Sequence, residues 1–265
     1  MIVVGENINA TRKSVQSAVK KRDADFIRDI ARAQTEAGAH YIDVNAGTLV
    51  EDEADGLVWL VETVQNEVDT PLCLDSPNPV ALEAALESCQ SKALLNSITG
   101  ETDRFESIVR LVEKYGTSVV ALCMDERGIP ETAAQRVGVA RDLCERLVAH
   151  GVAPEDIFVD PLVKPVGVLG TAAIEVLDAV RAIREQENDI HIITGLSNVS
   201  FGLPARKPLN RAFLVMLMAA GLDAALLDPL DQELMSLVAA SEALLNKDEY
   251  CARYIAAFRA GKLKL

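Results

Sequence analysis

The chain has 265 residues, 49% of them apolar and only 4% aromatic, with a single Trp, Trp59. This content excludes a disordered chain and calls for a large aliphatic core of the size held by one barrel domain. A formal charge of −14, from 40 acids against 26 bases, lacks the positive field of a nucleic-acid or anionic-membrane binder, and no run approaches the ~20 apolar residues of a transmembrane helix.

Short β-branched or aliphatic runs alternate with helical stretches along the chain. Residues 2–4 read as a first strand that meets Gly5-Glu6-Asn7 too soon for a signal peptide. A helix follows over 24–38, with Phe26, Ile27, Ile30, Ala31 and Ala33 at helical spacing and Gly38 as its stop. Strand 41–44 precedes helix 53–67. Strand 71–74 precedes helix 79–89, which starts after Asn78-Pro79. Strand 93–95 and helix 102–115 come next, then strand 118–122 and helix 131–149, then strand 157–159 and helix 171–187. Strand 190–194 leads to helix 208–220, and strand 224–227 to helix 231–246. A further C-terminal helix is expected from about 248 to 260. Eight strand–helix units imply parallel strands with helical crossovers, and their number fits a closed α/β (β/α)8 TIM barrel, a single domain over 1–265, better than an open doubly wound sheet. No G-x-G-x-x-G or G-x-x-x-x-G-K-[ST] follows any strand.

Cys73, Cys89, Cys123, Cys144 and Cys251 are odd in number and have no C-x-x-C spacing, so they read as buried, reduced thiols of a cytoplasmic protein. His40, His150 and His191 are dispersed, which disfavours a catalytic transition-metal site. No nucleophile-elbow motif supports a Ser/His/Asp hydrolase.

Active sites of such barrels lie at the C-terminal ends of the strands. The residues there are Glu6, Asn7 and Asn9; Asp43 and Asn45; Asp75; Asn96 and Ser97; Met124 and Asp125; Asp160; Ser197 and Asn198; and Asp228. This ring is rich in carboxylates and amides and almost free of cations, so it does not suit a phosphate. A carboxylate can accept two parallel N–H bonds from an aminopyrimidine-like edge, and an amide can donate and accept at once, so a purine or pterin ring matches the lining. Two plainer readings compete. Asp, Asn and Ser favour caps and turns anywhere, as expected of Asp52, Asp55, Asp103, Asp156 and Asp231. Asp75, Asp160 and Asp228 could instead hold a divalent metal.

The motifs Gly5-Glu6-Asn7-Ile8-Asn9, Asp43-Val44-Asn45, Leu72-Cys73-Leu74-Asp75-Ser76, Asn96-Ser97, Asp160-Pro161-Leu162 and Gly195-Leu196-Ser197-Asn198-Val199-Ser200, with Arg206-Lys207-Pro208-Leu209-Asn210-Arg211 downstream, fall at successive strand ends. In this order the chain resembles, over essentially its full length, the pterin-binding methyltransferases. These are the methyltetrahydrofolate:corrinoid protein methyltransferases and the folate domain of cobalamin-dependent methionine synthase. The wider superfamily includes dihydropteroate synthase, which typically has a basic residue beside the seventh-strand serine where this chain has Asn198. One departure is Asn7, where the family often has Arg. Another is the apolar Phe201-Gly202-Leu203 after the serine–asparagine motif, a loop that could face the corrinoid partner.

The resemblance implies methyl transfer, in either direction, between N5 of tetrahydrofolate and the cobalt of a corrinoid. It implies that Asp75, Asn96 and Asp160 bond the pterin edge, that Gly195 and Ser197 line the pocket, and that Asn198 sits by N5 as the catalytic residue. Arg206 would meet the glutamate tail or the pterin rim. No resident metal is expected. The chain has no Asp-x-His-x-x-Gly cobalt-binding signature and no spare length for a corrinoid module, so the corrinoid is expected on a separate partner protein. The resemblance also implies a homodimer. A dihydropteroate synthase-like enzyme and a non-catalytic folate-binding barrel are the alternatives.

Overall fold

The computed structural model describes residues 1–48 and 52–264. Its strands are β1 (Ile2–Asn9), β2 (Tyr41–Asn45), β3 (Leu72–Asp75), β4 (Leu94–Thr99), β5 (Ser118–Leu122), β6 (Ile157–Asp160), β7 (His191–Ile192) and β8 (Ala224–Leu227). Every pairing is parallel, in the order β7-β6-β5-β4-β3-β2-β1-β8. The ring closes just past the short β7, where Gly195 bridges Leu226 in parallel and the Leu226 N–H donates to the Thr194 carbonyl at 2.9 Å. The expected (β/α)8 barrel is therefore the fold.

The helices are α1 (Lys13–Lys21), α2 (Ala24–Glu36), α3 (Glu53–Gln65), α4 (Pro79–Ser88), α5 (Thr102–Tyr115), α6 (Ala133–Ala149), α7 (Ala172–Gln186), α8 (Arg206–Ala220), α9 (Gln232–Leu244) and α10 (Ala252–Arg259). Local chemistry sets their ends. The Asp23 carboxylate accepts the Phe26 N–H at the start of α2, and Asn78 caps α4 with Pro79 in its first turn. Thr132 and Gln135 form a reciprocal capping box on α6. Gly116, at φ 62°, ends α5 in the left-handed conformation that a glycine adopts without steric cost.

Several expectations need correction. The segment after β1, left without a helix by the sequence, forms α1, which buries Val15, Ala18 and Val19. β1 extends to Asn9 through an irregularity between Gly5 and Ile8, because polar strand-end residues continue its pairing with β2. The ladder of β7 covers only two residues of the expected five. The acids expected at caps or turns do lie there: Asp231 caps the Leu234 N–H of α9, Asp52 is the N-cap residue of α3, Asp55 and Asp103 stand in the first turns of α3 and α5, and Asp156 in a 3-10 turn, with Asp55 and Asp156 also paired with Arg22 and Lys92. Cys73, Cys123 and Cys144 are buried and unbridged, but Cys89 is half-buried and Cys251 exposed.

Two apolar layers hold the barrel. The larger lies between strands and helices and includes Val3, Leu72, Leu74, Leu95, Val119, Ile157 and Val159. The smaller fills the barrel interior with Val4, Cys73, Leu94, Val120, Phe158, Ile193 and Ala224, joined by Tyr41. Alternate residues of a strand point to opposite faces, so this interior layer fixes the direction of everything two residues further on.

Candidate active site

Two residues beyond Val4, Tyr41, Cys73, Leu94, Phe158 and Ile193 stand Glu6, Asp43, Asp75, Asn96, Asp160 and Gly195. One turn of the pleat thus converts an aliphatic and aromatic plug into a polar layer at the C-terminal ends of the strands. Above it opens a cleft of about 720 Å³, lined by Glu6, Asp43, Asp75, Ser197, Asn198 and Phe201 among others. That volume suits a small organic ligand. Of the residues expected in the site, Asp75, Gly195, Ser197, Asn198 and Arg206 line this cleft. Asn96 and Asp160 do not line it; they occupy the adjoining inward positions on β4 and β6.

The side chains are held in place by neighbours. The Asn45 amide donates to Asp75 Oδ2 at 2.8 Å, and Asp75 pairs in register with Asn96 across β3 and β4. Asp160 Oδ1 accepts the Leu162 N–H at 2.7 Å. The 3-10 turn Leu196–Ser200 follows Gly195, and its Asn198 N–H donates back to the Gly195 carbonyl at 3.2 Å. A Cβ on Gly195 would lie 3.1 Å from Asn198 Nδ2, so this glycine lets the exposed Asn198 amide fold back over the strand end. Arg206 braces the same turn, donating from Nη2 to the Ser197 carbonyl at 2.5 Å and from Nε to Ser200 Oγ at 3.0 Å. Its guanidinium is thus already engaged with the turn that presents Ser197 and Asn198.

Asn7, the departure from the family pattern, is buried, and its amide donates to Asp228 Oδ1 at 2.8 Å. Its backbone N–H donates to Gln34 Oε1 at 3.1 Å, an oxygen that a Cβ on Gly5 would run into. A side chain in place of the first motif's glycine would therefore have to displace a buried glutamine on α2.

Two arginines escaped the sequence reading. Arg104 of α5 donates from Nη2 to the carbonyls of Ser76, at 3.1 Å, and Ser97, at 2.7 Å, tying together the ends of β3 and β4. Arg136 of α6 is fully buried and donates from Nε to the Pro161 carbonyl at 2.8 Å, beside Asp160. Both sit on helices among surface arginines, and no local pattern separates them from Arg110 or Arg141.

The electrostatics follow from burial. Asp160 is pushed up to about 7 by loss of solvent, only partly offset by backbone N–H bonds from Leu162 and Gly195. Asp43 is raised well above the carboxylate range, first by burial and then by the nearby Asp75; neither of its oxygens finds a hydrogen-bond partner among the described residues. Burial also raises Asp75, against the bond from Asn45, and raises Glu6, against the pull of Arg12. Such a row presents acceptors that become favourable carboxylates once N–H donors meet them. Among the described residues, Asp75, Asp160 and Asp228 do not form part of any cluster of three or more metal-ligating side chains.

Comparison with known proteins agrees with this geometry. The family model for pterin binding enzymes matches residues 5–228. The chain is 40% identical over 265 residues to methylcorrinoid:tetrahydrofolate methyltransferase of Eubacterium limosum, covering 99% of this chain and 98% of that one. It is 32% identical over 239 residues to methionine synthase of Mycobacterium tuberculosis, covering 85% of this chain but only 20% of that one. Among solved structures, a dihydropteroate synthase from Clostridium difficile superposes with a TM-score of 0.72 at 18% identity, covering 92% of this chain and 96% of that one, a likeness of fold. Strand-end motifs, inward carboxylates and the match across residues 5–228 together establish that the chain belongs to the pterin-binding enzyme family.

Proposed function

We propose that the protein is a methyltransferase that moves a methyl group between N5 of tetrahydrofolate and the cobalt of a corrinoid carried by a separate protein. The observation that carries this reading is the inward layer of Asp75, Asn96 and Asp160 beside Ser197-Asn198, in a chain that aligns nearly end to end with a methylcorrinoid:tetrahydrofolate methyltransferase. That relative's name favours transfer from methylcorrinoid to folate.

In that direction N5 takes the methyl group, the cobalt–carbon bond breaks with its electron pair left on cobalt, and N5 gives up its proton. The reverse uses the same atoms, with N5 protonated as the methyl leaves. Asp75, Asn96 and Asp160 hold the pterin edge, and Gly195 and Ser197 shape the wall. The Asn198 side-chain oxygen accepts the N5 proton's hydrogen bond as charge develops there, with Asp75 or Asp160 relaying the proton through water. The protein's share is positioning and polarisation, while the corrinoid supplies the bond-breaking chemistry.

A dihydropteroate synthase reading is disfavoured by Asn198 in place of the basic residue typical beside that serine. The apolar side chains exposed on α8 and α10, including Met216 and Phe258, support a homodimer, which light scattering tests. Unbridged thiols support a cytoplasmic setting, and among the described residues no helix is long and apolar enough to cross a membrane.

The deciding experiment mixes the protein with a methylated corrinoid protein and tetrahydrofolate. Conversion of the methylcobalt(III) spectrum to cobalt(I), with 5-methyltetrahydrofolate formed in equal amount, is the expected result. Folate binding with no spectral change would mean a binding-only barrel. Consumption of aminobenzoate and a pterin diphosphate would mean a dihydropteroate synthase.

A further inference from the structure

Behind the strand ends, the side chain of Arg136 on α6 is fully buried, yet both of its hydrogen bonds go to main-chain carbonyls and neither to a carboxylate. Nε donates to the Pro161 carbonyl at 2.8 Å and Nη1 to the Glu131 carbonyl at 2.9 Å, while Nη2 finds no partner among the described residues. Burying a guanidinium on carbonyls alone is unfavourable, so a compensating role elsewhere is called for.

The peptide group between Pro161 and Leu162 supplies it. A trans peptide is planar, with its carbonyl and its N–H pointing in opposite directions. Arg136 holds the carbonyl end, and the N–H end donates to Asp160 Oδ1 at 2.7 Å. One rigid unit thus runs from guanidinium to carboxyl, and a donor on its oxygen strengthens the bond that its N–H makes. Leu162 itself sits at φ 62°, in the left-handed region that is unfavourable for residues other than glycine. The bonds at both ends of the preceding peptide group hold it there.

We propose that Arg136 is a positioning residue for Asp160, acting through the Pro161–Leu162 peptide group to fix the carboxyl that meets the pterin edge. Its bearing on the reaction rests on the methyltransferase reading, in which Asp160 holds the pterin. The other ionisable groups nearby are Glu175, whose Oε2 accepts the Ala133 N–H at 2.7 Å at the start of α6, and Cys123, whose N–H donates to the Asp160 carbonyl. Burial raises the Cys123 thiol well above its ordinary value, so it stays neutral near pH 7.

A matched pair of variants provides the test. Gln carries Nε2, and Met its terminal methyl, the same number of bonds from Cα as Arg carries Nε. Arg136→Gln therefore keeps a donor for the Pro161 carbonyl, Arg136→Met removes it, and both lose the same charge. The Asp160 titration midpoint is read by NMR on ligand-free protein with isotope-labelled Asp carboxyls, with Asp160→Asn assigning the signal. The wild-type midpoint is expected at about 7. Arg136→Met is expected about one pH unit above Arg136→Gln, a tenfold difference in proton affinity, because a weaker bond from the Leu162 N–H favours the protonated carboxyl. Equal midpoints in the two variants overturn the positioning role. If Arg136→Met does not fold, Arg136→Gln against wild type decides, with a shift under about half a pH unit expected and a larger one overturning the role.

Tetrahydrofolate affinity, measured by calorimetry across the same pH range, separates this role from the reading it rests on. Affinity is expected to rise as Asp160 ionises, with a midpoint that moves with the carboxyl from variant to variant. Different carboxyl midpoints with a folate affinity indifferent to pH would keep the Arg136 contact and overturn the pterin role of Asp160. Equal carboxyl midpoints with a folate affinity that still follows ionisation would overturn the role of Arg136 alone.

Discussion

Asp160→Asn tests the electrostatics of the site most directly. Asp160 is 7% exposed, and burial pushes its carboxyl from 3.8 up to about 7. A raised folded-state value means that the folded protein holds a proton which the unfolded chain has released throughout the interval between the two. Stability at this position is therefore fully present below about pH 4 and is lost as pH climbs toward 7. The interval is roughly 3 pH units, so the loss is about 4 kcal/mol by linkage at 1.36 kcal/mol per unit. Asn cannot ionise. It keeps an oxygen for the Leu162 N–H but buries an amide donor pair, at a cost of about 1–3 kcal/mol. The ligand-free variant is therefore expected to be less stable than wild type at pH 4 and more stable at pH 8. The difference between them should change by about 4 kcal/mol across that range. Urea unfolding of both proteins at several pH values measures this, and contributions from Glu6, Asp43 and Asp75 largely cancel in the difference. A difference that stays flat from pH 4 to pH 8 would refute the assignment of burial as the controlling force. The same variant should lose folate affinity, because the carboxylate that meets the pterin N–H donors is gone.

Other substitutions separate chemistry from scaffold. Asn198→Ala should lower methyl transfer by about a hundredfold, the scale of one lost transition-state hydrogen bond, while folate affinity changes little; equal losses in both would remove its role at N5. Gly5→Ala drives a methyl into Gln34 and breaks its bond to the Asn7 N–H, so unfolding should become easier by about 2–5 kcal/mol, the sum of overpacking and one lost buried bond. An unchanged denaturation midpoint would show that Gln34 swings away freely. Arg104→Met should weaken folate binding about tenfold by releasing the ends of β3 and β4 that carry Asp75 and Asn96, a cost of the size of one charged hydrogen bond. Calorimetry on the folded variant decides it, and wild-type affinity would make Arg104 a matter of stability alone.

Much of this architecture was legible because it depends on local periodicity. Strands such as Ser118–Leu122 and helices such as Thr102–Tyr115 appear where β-branched runs and helical apolar spacing place them, since both patterns are properties of neighbouring residues. α1 was missed although Val15, Ala18 and Val19 stand at helical i, i+3 and i+4 spacing, because the rest of the helix is mostly polar and its N-cap residue, Arg12, makes no side-chain cap bond. The regular ladder of β7 stops at Ile192, but the residues the sequence placed beyond it still pair with both neighbours: the Ile193 N–H donates to the Val159 carbonyl and the Thr194 carbonyl accepts from the Leu226 N–H, so only the regularity of the strand was misjudged.

The candidate site divides along the same line. The residue types at the strand ends, and their phase two positions beyond the apolar interior, were set by the order of the amino acids, because pleating is a property of one strand at a time. Only the tertiary structure decided what those residues became. Closing eight strands excluded solvent from Asp43 and Asp160 and raised their carboxyls. It brought Gln34 against Gly5, and it committed Arg206 to the turn at Ser197. Burial and charge pairing depend on groups distant in the chain, so no reading of a single segment contains them.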